Sequence, residues 1–204
     1  MSETKESTGG HPVELRIEPL VLEGVRLIRP VCHGDARGYF LETHHGRKYA
    51  ERGLDAVFVQ DNHSRSARGI LRGLHYQLRR PQGKLVMAVR GAIWDVAVDI
   101  RRGSPTFGRW VGRELSDANH EQLYIPPGFA HGFCVLSETA DVWYKCTEYY
   151  DPADDRGVIW SDPDLAIDWP KMDYRISAKD GRQPRLAELT ADQLPAYEGR
   201  RVPA

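Results

Sequence analysis

Residues 84–100, "KLVMAVRGAIWDVAVDI", hold two β-rich runs broken at Arg90-Gly91. In the second run Trp94, Val96, Val98 and Ile100 alternate with Asp95, Ala97 and Asp99, the period of two expected of a strand. The break is a turn signal, so the stretch predicts two strands in close succession. Further along, "GFCVLSETADVWYKC" (132–146) predicts another two strands, joined through Ser137 to Ala140. In the later of these, Val142, Tyr144 and Cys146 share one face, with Trp143 and Lys145 on the other. "RRGSPTFG" and "IPPGFAHG" are turn-forming punctuation. Helix signals are few. "RKYAERGL" predicts one short helix ending at Gly53, and "TADQLPAYEG" opens with a capping box, Thr190 and Gln193, that Pro195 cuts short. Many short strands with Gly/Pro turns point to an all-β, antiparallel barrel or sandwich with short peripheral helices.

The chain has 204 residues, 41% hydrophobic and 28% charged, which is ordinary globular composition. With neither repeat nor linker, residues 13–204 read as one domain with a C-terminal extension, and residues 1–12 as a disordered polar tail. Twenty-eight basic against 29 acidic residues leave a formal charge of −1, so no nucleic-acid surface is expected. Local basic clusters such as "SRSAR" still leave room for a small anionic ligand. Cys32, Cys134 and Cys146 are odd in number and far apart, which disfavours a disulfide framework and suits a reducing cytoplasm. The N-terminal stretch lacks the apolar segment of a secretion signal, and no apolar run is long enough to span a bilayer.

Three of the eight histidines stand out: His63, His75 and His131, in "QDNHS", "RGLHYQ" and "FAHGF", beside Gln60, Asn62, Arg72 and Gln77. A metal site is disfavoured. Metal-binding cupin barrels place two histidines two apart on a strand, and here the partner of His75 at that spacing is Gln77, a poor replacement for imidazole. Convergence of the three histidines from separate strands is the metal alternative that stays open. Acid–base chemistry suits a histidine near neutral pH, with a carboxylate on its far ring nitrogen, but many carboxylates are candidates. No G-x-S-x-G, G-x-G-x-x-G or P-loop motif occurs, which argues against serine hydrolase, Rossmann and nucleoside triphosphatase chemistry.

Eight stretches in unbroken order resemble the dTDP-4-dehydrorhamnose 3,5-epimerase family of cupin-type sugar-nucleotide epimerases. They are "DARGYFLET" (35–43), "FVQDNHSRSARGILRGLHYQ" (58–77), "QGKLV" (82–86), "WDVAVDIRRGSPTFGRWVG" (94–112), "LYIPPGFAHGF" (123–133), "YKCTEYYDP" (144–152), "SDPDLAIDWP" (161–170) and "SAKD" (177–180). The resemblance implies an antiparallel jelly-roll barrel, a homodimer and no metal or organic cofactor. Its substrate would be dTDP-4-keto-6-deoxy-D-glucose, inverted at C3 and C5. The 4-keto group acidifies both neighbouring carbons, because each carbanion is an enolate; a base, an acid on the opposite face and a cation at the enolate oxygen are needed. By resemblance, His75 is the base, Asp180 its orienting carboxylate, Lys84 the cation and Tyr144 the acid. Arg72 matches a diphosphate ligand. Arg37, Glu42, Gln60 and Asn62 match nucleotide and sugar contacts, some of them from a neighbouring subunit. His131 matches a supporting active-site histidine, and Tyr150 a residue that stacks on the base. Asp95 and Asp99 are read as structural.

Two points depart from the pattern. His33 stands where relatives often carry an aromatic residue before Gly-Asp, which puts nucleotide preference in question. Arg72 and His75 are three apart, so a regular strand would turn them to opposite faces, and an irregularity near Gly73 is expected if both enter one site. The alternatives are an epimerase acting at C3 or C5 alone, a non-catalytic sugar-nucleotide-binding cupin, and, last, a metal-dependent cupin oxygenase.

Overall fold

A computed structural model of the chain describes residues 14–199, so the expected tail at 1–12 lies outside the described residues. The strands are β1 (Arg16–Pro19), β2 (Arg26–Arg29), β3 (Cys32–Asp35), β4 (Gly38–Leu41), β5 (Gln60–Ala67), β6 (Ile70–Gln77) and β7 (Lys84–Arg90). There follow β8 (Ala92–Asp99), β9 (Trp110–Ser116), β10 (Gln122–Ile125), β11 (Phe129–Val135), β12 (Thr139–Cys146), β13 (Asp155–Gly157) and β14 (Arg175–Ile176). The stretch 84–100 is thus β7 and β8, with Gly91 at φ +70° between them. The short helix forms as α1 (Gly46–Ala50), and the Thr190–Gln193 capping box closes a 3₁₀ turn.

One sheet runs β1-β2-β10-β7-β12-β5 and a second runs β13-β6-β11-β8-β9. Their pairings are antiparallel; β14 alone joins a sheet strand in parallel, along β6. The two sheets close face to face as a jelly-roll barrel over Val86 and Ala88 of one and Ile93, Ala97 and Phe133 of the other.

β8 departs from the simple picture of an apolar face toward the barrel and a polar face toward water. Val96, Val98 and Ile100 pack away from the barrel, against Leu165, Trp169, Leu186 and Leu194 of the C-terminal segment. Ala97 belongs to the barrel core, so Asp95, two residues earlier, faces the barrel interior. The second sheet is therefore covered on both sides, and its polar stripe is free to furnish a site.

The predicted irregularity near Gly73 is a bulge. On β11, His131 pairs with His75 and Phe133 with Arg72, so two residues of β11 span three of β6. The extra residue restores the parity that the sequence spacing breaks. Gly73 has φ +130°, and a Cβ there would lie 2.5 Å from the Gly132 Cα. Glycine on both strands lets the backbones cross that closely.

Candidate active site

A cavity of about 380 Å³ opens between the sheets. β6 supplies Arg72 and His75, β5 supplies Gln60 and Asn62, and β7 begins with Lys84; β11 and β12 contribute His131 and Tyr144. Tyr150, on the loop after β12, closes one side. Arg72, His75, Gln60, Asn62, Lys84, His131 and Tyr144 therefore reach one space.

His75 Nε2 lies 2.8 Å from Asp180 Oδ1. An ionised carboxylate only accepts, so Nε2 carries the proton and the Nδ1 lone pair is the free basic atom. Asp180 starts a 3₁₀ turn in the C-terminal segment, which β14 holds against β6. Burial pushes the Asp180 carboxyl up, but the hydrogen bond and charge of His75 and the Gly73 N–H outweigh it and hold the group below its ordinary value.

Lys84 and Tyr144 stand on the sheet opposite His75. Neither the Lys84 ammonium nor the Tyr144 phenol has a hydrogen-bond or ion-pair partner among the described residues. Burial lowers the Lys84 pKa, against the attraction of Cys146, Asp95 and Asp155. Burial raises that of Tyr144, which stays a protonated donor at neutral pH. Arg72 is steadied by two contacts of 3.1 Å from its guanidinium to Ser66 Oγ.

Asp95, read from the sequence as structural, has a partner in the cavity wall. His131 Nε2 lies 2.7 Å from Asp95 Oδ1, which makes a second His–Asp pair beside the first. Burial lowers the His131 pKa despite that carboxylate, so the ring is held neutral. Asp95 Oδ2 is buried without a hydrogen-bond partner. Asp99 keeps its structural role, bracing Arg101, Ser104 and Thr106.

Three expected contributors lie elsewhere. His63 points away from the cavity, because alternation on β5 turns Gln60, Asn62 and Ser64 inward; it approaches Asp141 at 3.3 Å instead. The three histidines therefore do not converge. Arg37 pairs with Asp35 and Glu42 with Lys48, both outside the cavity of their own chain. Residues that line it without having been singled out for it include Ser64, Gln82, Phe133 and Asp155. Ser64 continues the inward stripe of Gln60 and Asn62 and was legible by period; Asp155, met only through folding of the C-terminal segment, carried no signal.

The chain matches the family model described as dTDP-4-dehydrorhamnose 3,5-epimerase over residues 19–188. It is 52% identical over 177 residues to a dTDP-4-dehydrorhamnose 3,5-epimerase of Pseudomonas aeruginosa, covering 86% of this chain and 97% of the relative. A dTDP-6-deoxy-D-glucose-3,5-epimerase of Legionella pneumophila, solved in complex with dTDP-4-keto-L-rhamnose, superposes with a TM-score of 0.88 at 48% identity, covering 91% of this chain and 100% of that one. A dTDP-4-dehydrorhamnose 3-epimerase of Streptomyces niveus is 43% identical over 186 residues, 90% of each chain. With a family model matched over most of its length and relatives this similar, the chain belongs to the dTDP-4-dehydrorhamnose 3,5-epimerase family of isomerases.

Proposed function

We propose that the chain epimerises dTDP-4-keto-6-deoxy-D-glucose at C3 and C5, through enolates, in the making of dTDP-deoxysugars such as dTDP-L-rhamnose. The observation that carries this reading is the placement of one oriented base and one free phenol on opposite sheets, with an unpaired ammonium in the same cavity. His75 Nδ1 takes the proton from the carbon beside the ketone, and the developing imidazolium is stabilised by Asp180. Lys84 supplies positive charge to the enolate oxygen, which lowers the barrier to carbanion formation. Tyr144 returns a proton from the opposite face, and inversion is the result. A pure binding module has no use for the unpartnered phenol and ammonium together.

Arg72 is proposed to hold the diphosphate, whose oxygens suit a guanidinium fork, and Tyr150 to stack on the base. Gln60, Asn62 and His131 complete the sugar and nucleotide contacts. Arg37 and Glu42 are proposed to act in the cavity of a second copy. Support comes from the β3–β4 hairpin, which pairs with neither main sheet and exposes Tyr39 and Phe40, the latter at 69%. A two-stranded ribbon is marginal alone, and an aromatic pair at its edge asks for cover. His33 sits on the same arm and would approach the base with it. Residues 13–204 act as one domain in this reading, supported by the C-terminal segment's share in both core and dyad. A cytoplasmic location is proposed from the three free thiols.

Incubation with the 4-keto sugar nucleotide in D₂O, followed by NMR at C3 and C5, tests the reading. Deuterium with inversion at both carbons is expected. Exchange at C3 alone would move the chain to the activity named for its Streptomyces relative, and exchange at neither would sink the enzyme reading. In Tyr144→Phe, deuterium should still enter on the His75 face while inversion stops.

A further inference from the structure

Gln77 stands two residues after His75 on β6, and its buried amide makes three hydrogen bonds beyond its own strand. Its Nε2 donates to the carbonyls of Arg80 at 2.7 Å and Tyr149 at 3.2 Å. Its Oε1 accepts from the Asp151 N–H at 2.8 Å. The residue between those last two, Tyr150, donates its own N–H to Gln60 Oε1 at 2.8 Å. Two consecutive peptide units, 149–150 and 150–151, are therefore held by two glutamine side chains, one reaching from each sheet. The Gln60 amide also bonds Asn62 at 3.0 Å, so its oxygen serves the loop and its nitrogen its own strand.

We propose that Gln77 is a positioning residue that, together with Gln60, fixes the loop 149–151 so that the Tyr150 ring is presented to the nucleotide. The inference rests on the reading of Tyr150 as a base-stacking contact. The chemistry fits an amide and no other side chain of that size. Two carbonyls need a donor and one N–H needs an acceptor, and only an amide offers both from one planar group. A carboxylate would face the two carbonyls with like polarity; an apolar side chain would leave three part-buried backbone groups without this partner. The same strand thus carries the proton-abstracting ring and the amide that frames the nucleotide loop.

The loop has other anchors, which let the effect on presentation be separated from collapse. Thr147 N–H donates to the Gly83 carbonyl at 2.9 Å and Gln82 Nε2 to the Glu148 carbonyl at 2.8 Å. These contacts hold the base of the loop in a Gln77 variant, while its tip keeps only the Tyr150 N–H bond to Gln60 and the Tyr150 hydroxyl bond to Asp155, and loses the three bonds of Gln77.

The test is a double-mutant cycle between Gln77→Leu and Tyr150→Ala, read by calorimetric binding of dTDP and by steady-state kinetics with the 4-keto sugar nucleotide. Gln77→Leu should weaken dTDP binding by about tenfold and raise KM similarly, with kcat changed by less than about threefold. In the Tyr150→Ala background the same change should weaken dTDP binding no further. A silent Tyr150→Ala would overturn the stacking assignment itself. A weakened Tyr150→Ala combined with a silent or fully additive Gln77→Leu would leave that assignment standing and overturn the present inference. So would a Gln77→Leu that loses kcat in step with a lowered melting temperature at unchanged KM. Should Gln77→Leu fail to fold, Gln77→Glu reads the same cycle, since it keeps the acceptor for Asp151 and loses the donor to Arg80 and Tyr149.

Discussion

Two histidines, register partners on adjacent strands, each hold a carboxylate on Nε2, at 2.8 Å for His75 and 2.7 Å for His131. What differs is their surroundings. The His75 side chain is 32% exposed and its Asp180 receives further support from the Gly73 N–H. The His131 side chain is 9% exposed and its Asp95 retains an orphaned oxygen. A histidine that must gain and release a proton needs a site that tolerates its cation. Burial denies that to His131, whose ring is kept neutral and suited to holding a substrate group in place. Pair geometry alone does not distinguish the proposed base; access and a fully satisfied carboxylate do.

Breaking the first pair at its ring should have the largest effect. His75→Asn is expected to cut solvent exchange at C3 and C5 by about 10⁴-fold or more, while His131→Asn costs roughly ten- to a hundredfold. Equal losses in the two, measured by NMR, would erase the distinction. Next come the carboxylates. Asp180→Asn should lower kcat by about a hundredfold, because the amide no longer stabilises the imidazolium, whereas Asp95→Asn should lower it by about tenfold or less.

The pH profile sharpens the comparison with smaller effects. His131 has its pKa lowered, so it takes up a proton only below the ordinary histidine range; the acid limb of kcat/KM should survive His131→Asn. On the alkaline side, burial lowers Lys84 and raises Tyr144, so loss of the ammonium is displaced to lower pH and ionisation of the phenol to higher pH. Activity should therefore fall with the lysine, below its ordinary pKa, and Lys84→Arg should move that limb upward in a pH-rate series. A limb that stays in place in Lys84→Arg belongs to another group.

Much of this was legible from residue order, for identifiable reasons. Alternation over 92–100 located β8, and Arg90-Gly91 located the turn, because strand period and turn chemistry are local properties. The stripe of β8 that meets the barrel was not legible, since the apolar stripe serves the C-terminal segment and leaves Asp95 to the interior. The pairing of Asp95 with His131 spans 36 residues and two strands, and no local pattern announces it. Arg72 and His75 looked incompatible by parity, and the Gly73 bulge reconciles them. Arg37 and Glu42 came by resemblance alone, and a single chain leaves them outside its cavity.

Asp180 sits in the 3₁₀ turn that follows the last described strand, a two-residue β14 lying along the strand that bears its histidine. The proposed base is therefore oriented only when the C-terminal segment has docked, after the sheets that enclose the cavity have been synthesised. Turnover thus reports on the seating of that segment as well as on the barrel. On slow heating, activity should decay ahead of the β-sheet circular dichroism signal, with the gap between the two curves measuring how much more weakly the final strand is held than the rest.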